Sequence, residues 1–346
     1  FNTSGKSVTL KSNGSSIYTI TRGSGLTSGS IINFYNSSTT TVTNIKFNGN
    51  NVSSNKPLLI SSGSATVNLN SGVTIQNALN TATYSGGGFG VHSSSTLNIN
   101  GATITSNKSN NQGAGLYINT ATLNFNSGTI SNNSFTSSGG SGAGILGWQA
   151  TVNIKGGTIS GNTATSEGGG IWVGGNSGKM AFNMTAGTIT GNKANFGGGI
   201  AIRSDTTATK TIGTISGGTI SSNNASHGGG GVNLGKSVVT INNINITSNN
   251  AQWGAGISIT YGATLYFKGG TVQNNIASSS AAGIDVGSGT EGGPNHLYIQ
   301  GGKVINNKCT ASNGIGGINV NTSSGSTYTH SSGTVSGNTP NNTGSW

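Results

Sequence analysis

Ile159–Val173 reads ISGNTATSEGGGIWV, Ile189–Ile202 reads ITGNKANFGGGIAI, and Ile246–Ile259 reads ITSNNAQWGAGISI. Working outward from these stretches, the first half of the phrase recurs at Thr103-Ile104-Thr105, Thr129-Ile130-Ser131, Thr158-Ile159-Ser160, Thr188-Ile189-Thr190 and Thr219-Ile220-Ser221. An Asn follows two residues after each, at Asn107, Asn133, Asn162, Asn192 and Asn223. The second half, a Gly-rich turn before a β-branched residue, recurs at Gly144-Ile145, Gly170-Ile171, Gly199-Ile200, Gly231-Val232 and Gly256-Ile257. A period of 26–32 residues signals a solenoid, in which each unit can bury its apolar side only against its neighbours.

A third phrase completes the unit: Thr96-Leu97-Asn98-Ile99, Thr122-Leu123-Asn124-Phe125 and Thr151-Val152-Asn153-Ile154. Apolar residues at alternate positions give a strand with one buried and one exposed face. Three short strands in under about thirty residues leave no room for a crossover helix, so each pairs with its equivalent in the next unit. The expected fold is all-β, a three-sheet β-solenoid forming a right-handed parallel β-helix of about ten coils, with the hand taken from parallel crossovers. A single domain is expected over 1–346, with irregular coils over 1–50, regular repeats over 51–340 and a polar tail over 341–346. Candidate early strands are Val8-Thr9-Leu10, Ile17-Tyr18-Thr19-Ile20 and Ile31-Ile32-Asn33-Phe34.

Only 31% of the residues are hydrophobic, a value that suits disorder, but they are held in register, which a disordered chain does not need. Charged residues are 5%, and the net charge of +11 reflects four acids rather than many bases. Such a field favours anionic partners. The bases form no stripe with interleaved aromatics, which argues against nucleic acid. No apolar run spans a membrane, and the single cysteine, Cys309, reads as an inert loop residue with no internal disulfide partner. The composition suits an exported surface protein, and the chain reads as a mature or trimmed piece of something longer.

The repeated Asn is expected to take the left-handed turn conformation and to hydrogen-bond along the axis as a ladder. The Gly-Gly-Gly runs precede strands and lack a following Lys-Ser/Thr, so they are not phosphate loops.

Together these phrases resemble the repeat of polymorphic outer-membrane proteins and related adhesins, with Ile or Val in place of Phe in the Phe-x-x-Asn motif and Gly-Gly/Ala-Gly-Ile in place of Gly-Gly-Ala-Ile. The resemblance covers about residues 60–340. It implies a right-handed β-helical passenger or stalk at a cell surface, extracellular and used for adhesion.

Catalysis has little to stand on. The four acids are Glu167, Asp205, Asp285 and Glu291. Glu167 and Asp205 lie more than one coil apart along the chain, and Asp285 is expected to point outward. The four histidines occupy different repeat positions, so no metal, cofactor or triad is expected. Two surface features can bind. The first is an aromatic edge: Phe196, His227 and Trp253 before the Gly motif, Tyr117 and Trp172 projecting outward after it, and Tyr266 and Tyr298 in adjacent coils. The second is a hydroxyl face built on Thr103, Thr105, Thr129, Thr158, Thr188, Thr190 and Thr219, which resembles ice-binding arrays. The expected function is a non-catalytic adhesin or structural rod whose partner is a surface glycan, a protein or copies of itself end to end. The alternatives are an ice-binding protein and a polysaccharide-active enzyme.

Overall fold

The computed structural model describes residues 5–14, 16–82, 86–287 and 293–345. It is all-β, a solenoid of parallel strands with about eleven turns. Among the described residues the single helical element is a 3-10 turn at Thr322–Ser324. Every strand pairs in parallel with its counterpart one coil away; for example Thr151–Ile154 pairs with Ala181–Met184, and Ile171–Gly175 with Ile200–Ser204.

Most regular coils carry four strand segments rather than the expected three; in the coil of Thr151–Ile154 the fourth is reduced to isolated bridges at Thr163 and Glu167. The Leu/Val strand and the Thr-Ile-Ser/Thr strand belong to one 20-stranded sheet, and in places run together as a single bent strand, as in Thr96–Thr105. The bend falls at Gly101, whose φ of 107° suits glycine. The strand after the Gly motif forms a 12-stranded sheet. The unforeseen fourth segment follows the repeated Asn and is as short as two residues, such as Lys108–Ser109 and Asn250–Ala251. Its inward residue is small, so no hydrophobic alternation announces it. Ala225, Ala251, Ala277 and Cys309 make one buried file there. Cys309 is therefore a packed strand residue, not a loop residue.

The candidate strands of the first fifty residues are present as Ser7–Lys11, Tyr18–Thr21 and Ile32–Phe34. The core is one continuous stack. Ile159, Ile189 and Ile220 pair in register and are fully buried, as are Phe125, Phe182 and Phe267.

The repeated Asn side chains form an internal ladder. Asn192 shows the pattern: Nδ2 donates to Asn223 Oδ1 at 3.0 Å and to Ile159 O at 3.0 Å. Its Oδ1 accepts from Asn162 N at 3.0 Å and from Asn162 Nδ2 at 2.9 Å. The same bonding runs from Asn107 to Asn338. All four hydrogen-bonding capacities of each amide from Asn133 onward are thus used, which is how a polar column survives in an apolar core. The left-handed turn residue, however, is not the ladder Asn but the residue before it, such as Ser106 (φ 56°), Asn132 (φ 55°) or Gly161 (φ 64°). That turn aims the Asn side chain inward. Gly199 packs against the ladder from the far side: a Cβ there would lie 2.6 Å from Gly231 O and 3.1 Å from Asn223 Nδ2. The Gly-Gly-Gly runs therefore serve close coil stacking.

Candidate functional site

The turn that opens each Gly motif, reached from a loop or a short strand, folds over the outer face of the 12-stranded sheet. This roof changes the fate of several candidate residues. Tyr117 and Trp172 do leave their strands on the side away from the main core. They are nevertheless 4% and 5% exposed, packed with Leu146 and Ala201 in a second apolar layer beneath the loops. The tight fit shows at Gly168, where a Cβ would lie 2.8 Å from Trp172 Cβ. They are not surface aromatics, because an outward strand position is outward only until something covers it.

Asp285 is corrected for the same reason. It sits on the outer side of Ile284–Val286 yet is buried, accepting hydrogen bonds from Ser280 Oγ at 3.2 Å and Asn319 Nδ2 at 3.1 Å. Burial pushes its carboxyl up to about 6, against the opposing pull of those two donors. Glu291 lies outside the described residues.

Phe196, His227 and Trp253 do form a surface file. The Phe196 and His227 rings stack at 5.1 Å with an 18° interplanar angle. His227 meets Trp253 edge-on at 5.9 Å. His227 is not in strict register, however: the residue opposite Phe196 is Gly228, and His227 bulges outward by one position. The missing side chain at Gly228 makes room for the indole, since a Cβ there would lie 2.4 Å from Trp253 Nε1. Phe196 and Trp253 are half-buried and His227 is exposed. Tyr266 and Tyr298 stack at 4.9 Å and 11° on the 20-stranded sheet, as a separate half-buried pair.

The Thr files are in register through Thr103, Thr129, Thr158, Thr188 and Thr219, with Thr105 and Thr190 in the neighbouring file. They are half-buried. Several hydroxyls bond to each other along the axis, Ser131 Oγ to Thr105 Oγ1 at 3.1 Å and Ser221 Oγ to Thr190 Oγ1 at 3.2 Å. On the same sheet the sequence reading missed an outer amide ladder, Asn68–Asn98–Asn124–Asn153–Asn183, with links of 2.8–2.9 Å. The signal was present as an Asn at the third position of five successive strands of this kind, from Thr66–Asn70 to Ala181–Met184.

One more group was missed. Trp148 and Arg203 occupy the same repeat position on the roofed sheet, three residues after Ile145 and Ile200, Trp148 as the last residue of its strand and Arg203 as the last but one. Trp148 stacks on Trp172 at 5.8 Å and 11°. Arg203 forms an ion pair with Glu167, which also accepts from Trp172 Nε1 at 2.9 Å. The Arg203 guanidinium lies 4.8 Å from the Tyr261 ring centroid. Glu167 and Asp205, although more than a coil apart in sequence, line one cavity with these residues. Among the described residues there is no cluster of three or more His, Cys, Asp or Glu, and no helix is long and apolar enough to cross a membrane.

No family model, curated protein or solved structure matches this chain.

Proposed function

We propose that this protein is an extracellular, surface-displayed rod that retains glycans or glycosylated proteins along its loop edge, with no catalysis of its own. The observation that carries the reading is the Phe196–His227–Trp253 file. Three rings in contact stand on one edge of a continuous solenoid, Phe196 and His227 on short strands and Trp253 bridged to the second of these, and rigid partly exposed aromatics suit sugar-ring stacking. Rigidity matters because a preformed platform loses little entropy on binding. The long axis adds avidity, since one polymer can touch several places on one rod.

The hydroxyl-face reading is second. The Thr and Ser hydroxyls that bond to one another have less left to offer a lattice of water. End-to-end stacking of copies belongs to the same proposal: Tyr18 and Ile20, at inward positions of the first coil, are 56% and 37% exposed. The test is retention of the purified chain on immobilised polysaccharides and on whole cells, beside an ice-recrystallisation assay. Retention without recrystallisation inhibition supports the proposal; inhibition without retention replaces it with the ice-binding reading.

A further inference from the structure

The cavity beside Trp148 is built unlike the rest of the surface. It measures about 230 Å³ and lies between the loop column and the outer end of the roofed sheet. Trp148 and Trp172 give it an aromatic wall, and Leu146 adds to the floor. Glu167, Asp205, Arg203, Asn111 and Gln112 supply the polar rim. Its size is below that of ordinary drug-sized pockets, at about 300–1,000 Å³, and suits one ring rather than a chain of them.

Three features indicate what that ring is. Gln112 Oε1 and Arg203 Nε are buried with no hydrogen-bond partner among the described residues. A buried unpaired acceptor or donor is costly, and a ligand that supplies the missing partner removes the cost. Both atoms are closed to solvent, so a ring reaches them when the Gln112 and Arg203 side chains shift, and one bearing hydroxyl donors and oxygen acceptors then meets both needs at once. Trp148 is half-buried and stacked on a second indole, so its position is fixed before any ligand arrives. Two carboxylates against one guanidinium leave the rim with one net negative charge, in a chain whose overall charge is +11. Two of the four acids in the whole sequence are placed here. The field of the rod favours anions, and the groove locally disfavours them.

We propose that this groove binds a single neutral hexopyranose residue, its apolar face on Trp148 and its hydroxyls shared between Asp205 and the amides of Asn111 and Gln112. Glu167 is held by Arg203 and Trp172 and acts as a positioning residue. The assignment takes the class of partner from the glycan reading above, but the site is separate from the Phe196–His227–Trp253 file. The two sites adjoin, because Glu167 and Phe196 are bridged partners in neighbouring coils.

The test is tryptophan fluorescence of the full chain titrated with methyl glucoside, methyl galactoside, methyl mannoside and glucuronate. At least one neutral hexoside should saturate, with a Kd on the order of 1–10 mM for so few contacts. Glucuronate should bind about fivefold more weakly or worse, a difference that Asp205→Asn should narrow because it removes the repelling charge. Trp148→Ala should weaken the neutral sugar about tenfold. Asp205 is exposed, so its variant tests the site even where Trp148→Ala perturbs packing. The Phe196→Ala, Trp253→Ala double variant should keep its monosaccharide affinity within about twofold, because neither residue lines the groove. The proposal is overturned if no hexoside saturates. It is equally overturned if glucuronate binds as well as the neutral sugars, with Asp205→Asn making no difference. If the parent chain fails to hold polysaccharides or cells while hexosides still saturate, the adhesion reading falls and the groove stands.

Discussion

Asn192→Ala is the sharpest probe of what holds the coils in register. The substitution removes one ladder amide and strands two buried groups, the Asn162 backbone N–H and one N–H of Asn162 Nδ2, while the Ile159 carbonyl loses one of its donors but keeps its place in the strand ladder. Asn223 Oδ1 loses one donor but keeps the Asn192 backbone N–H at 3.0 Å. Asn162 and Asn192 are both fully buried. At about 1–3 kcal/mol for each orphaned group, the gross cost is about 2–6 kcal/mol, and relaxation into the vacated space brings the expected loss to about 2–4 kcal/mol. Asn153→Ala is the control. Its amide makes the same amide-to-amide links, at 2.9 Å on both sides, but none to the backbone, and it is half-exposed, so water replaces the bonds and the loss should be about 1 kcal/mol or less. Solenoids need not unfold in one step. The assay is therefore native-state hydrogen exchange alongside equilibrium urea denaturation. Protection of the Asn162 amide should fall about a hundredfold or more in Asn192→Ala and little in Asn153→Ala. Equal losses in the two variants would refute the reasoning, because they would mean that burial of the ladder adds nothing.

Three further outcomes are expected. Ile189→Asp places an unpaired charge between Ile159 and Ile220 and should cost several kcal/mol, read as a fall in the urea midpoint; an unchanged midpoint contradicts the core assignment. Asp285 should make stability fall as pH rises between about 4 and 6. Its folded value of about 6 lies above the ordinary aspartate value of 3.8, so the folded state holds the proton more tightly and loses that advantage once the proton leaves. Asp285→Asn should flatten this slope and raise stability at pH 7 by on the order of 2 kcal/mol, and thermal melts across pH that superimpose with those of the parent contradict it. Gly228→Ala should displace the Trp253 indole, seen as a shift in tryptophan emission, because the added carbon would sit 2.4 Å from Nε1.

The fold was legible because its determinants are periodic. Ile104, Ile130, Ile159, Ile189 and Ile220 recur with the ladder Asn at a fixed offset, and register follows from that offset alone. The fourth strand was not legible, because Ala194 or Ser109 carries no hydrophobic signal and the segment is only a few residues long. The left-handed position was misplaced by one residue, since Asn tolerates that conformation as well as the Ser or Gly that precedes it. The surface was read less well than the core. Alternation places Tyr117, Trp172 and Asp285 outside the sheet, but it contains nothing about a loop returning to cover them. The Trp148 groove depends on residues more than fifty positions apart, brought to one place by coil stacking. It becomes visible only when residues are compared at equal repeat positions.

Retention on glycan by the aromatic edge is the claim on which the functional account stands. The direct measurement is binding of the parent chain and of the Phe196→Ala, Trp253→Ala variant to the same polysaccharide surface, with melting followed in parallel. Both residues are only half-buried, so the variant should melt within a few degrees of the parent. Each ring is worth about 0.5–1.5 kcal/mol of stacking beyond its area, so its retention should fall about tenfold or more, and further where one polymer spans several coils. A variant that is folded and held as tightly as the parent would contradict the account.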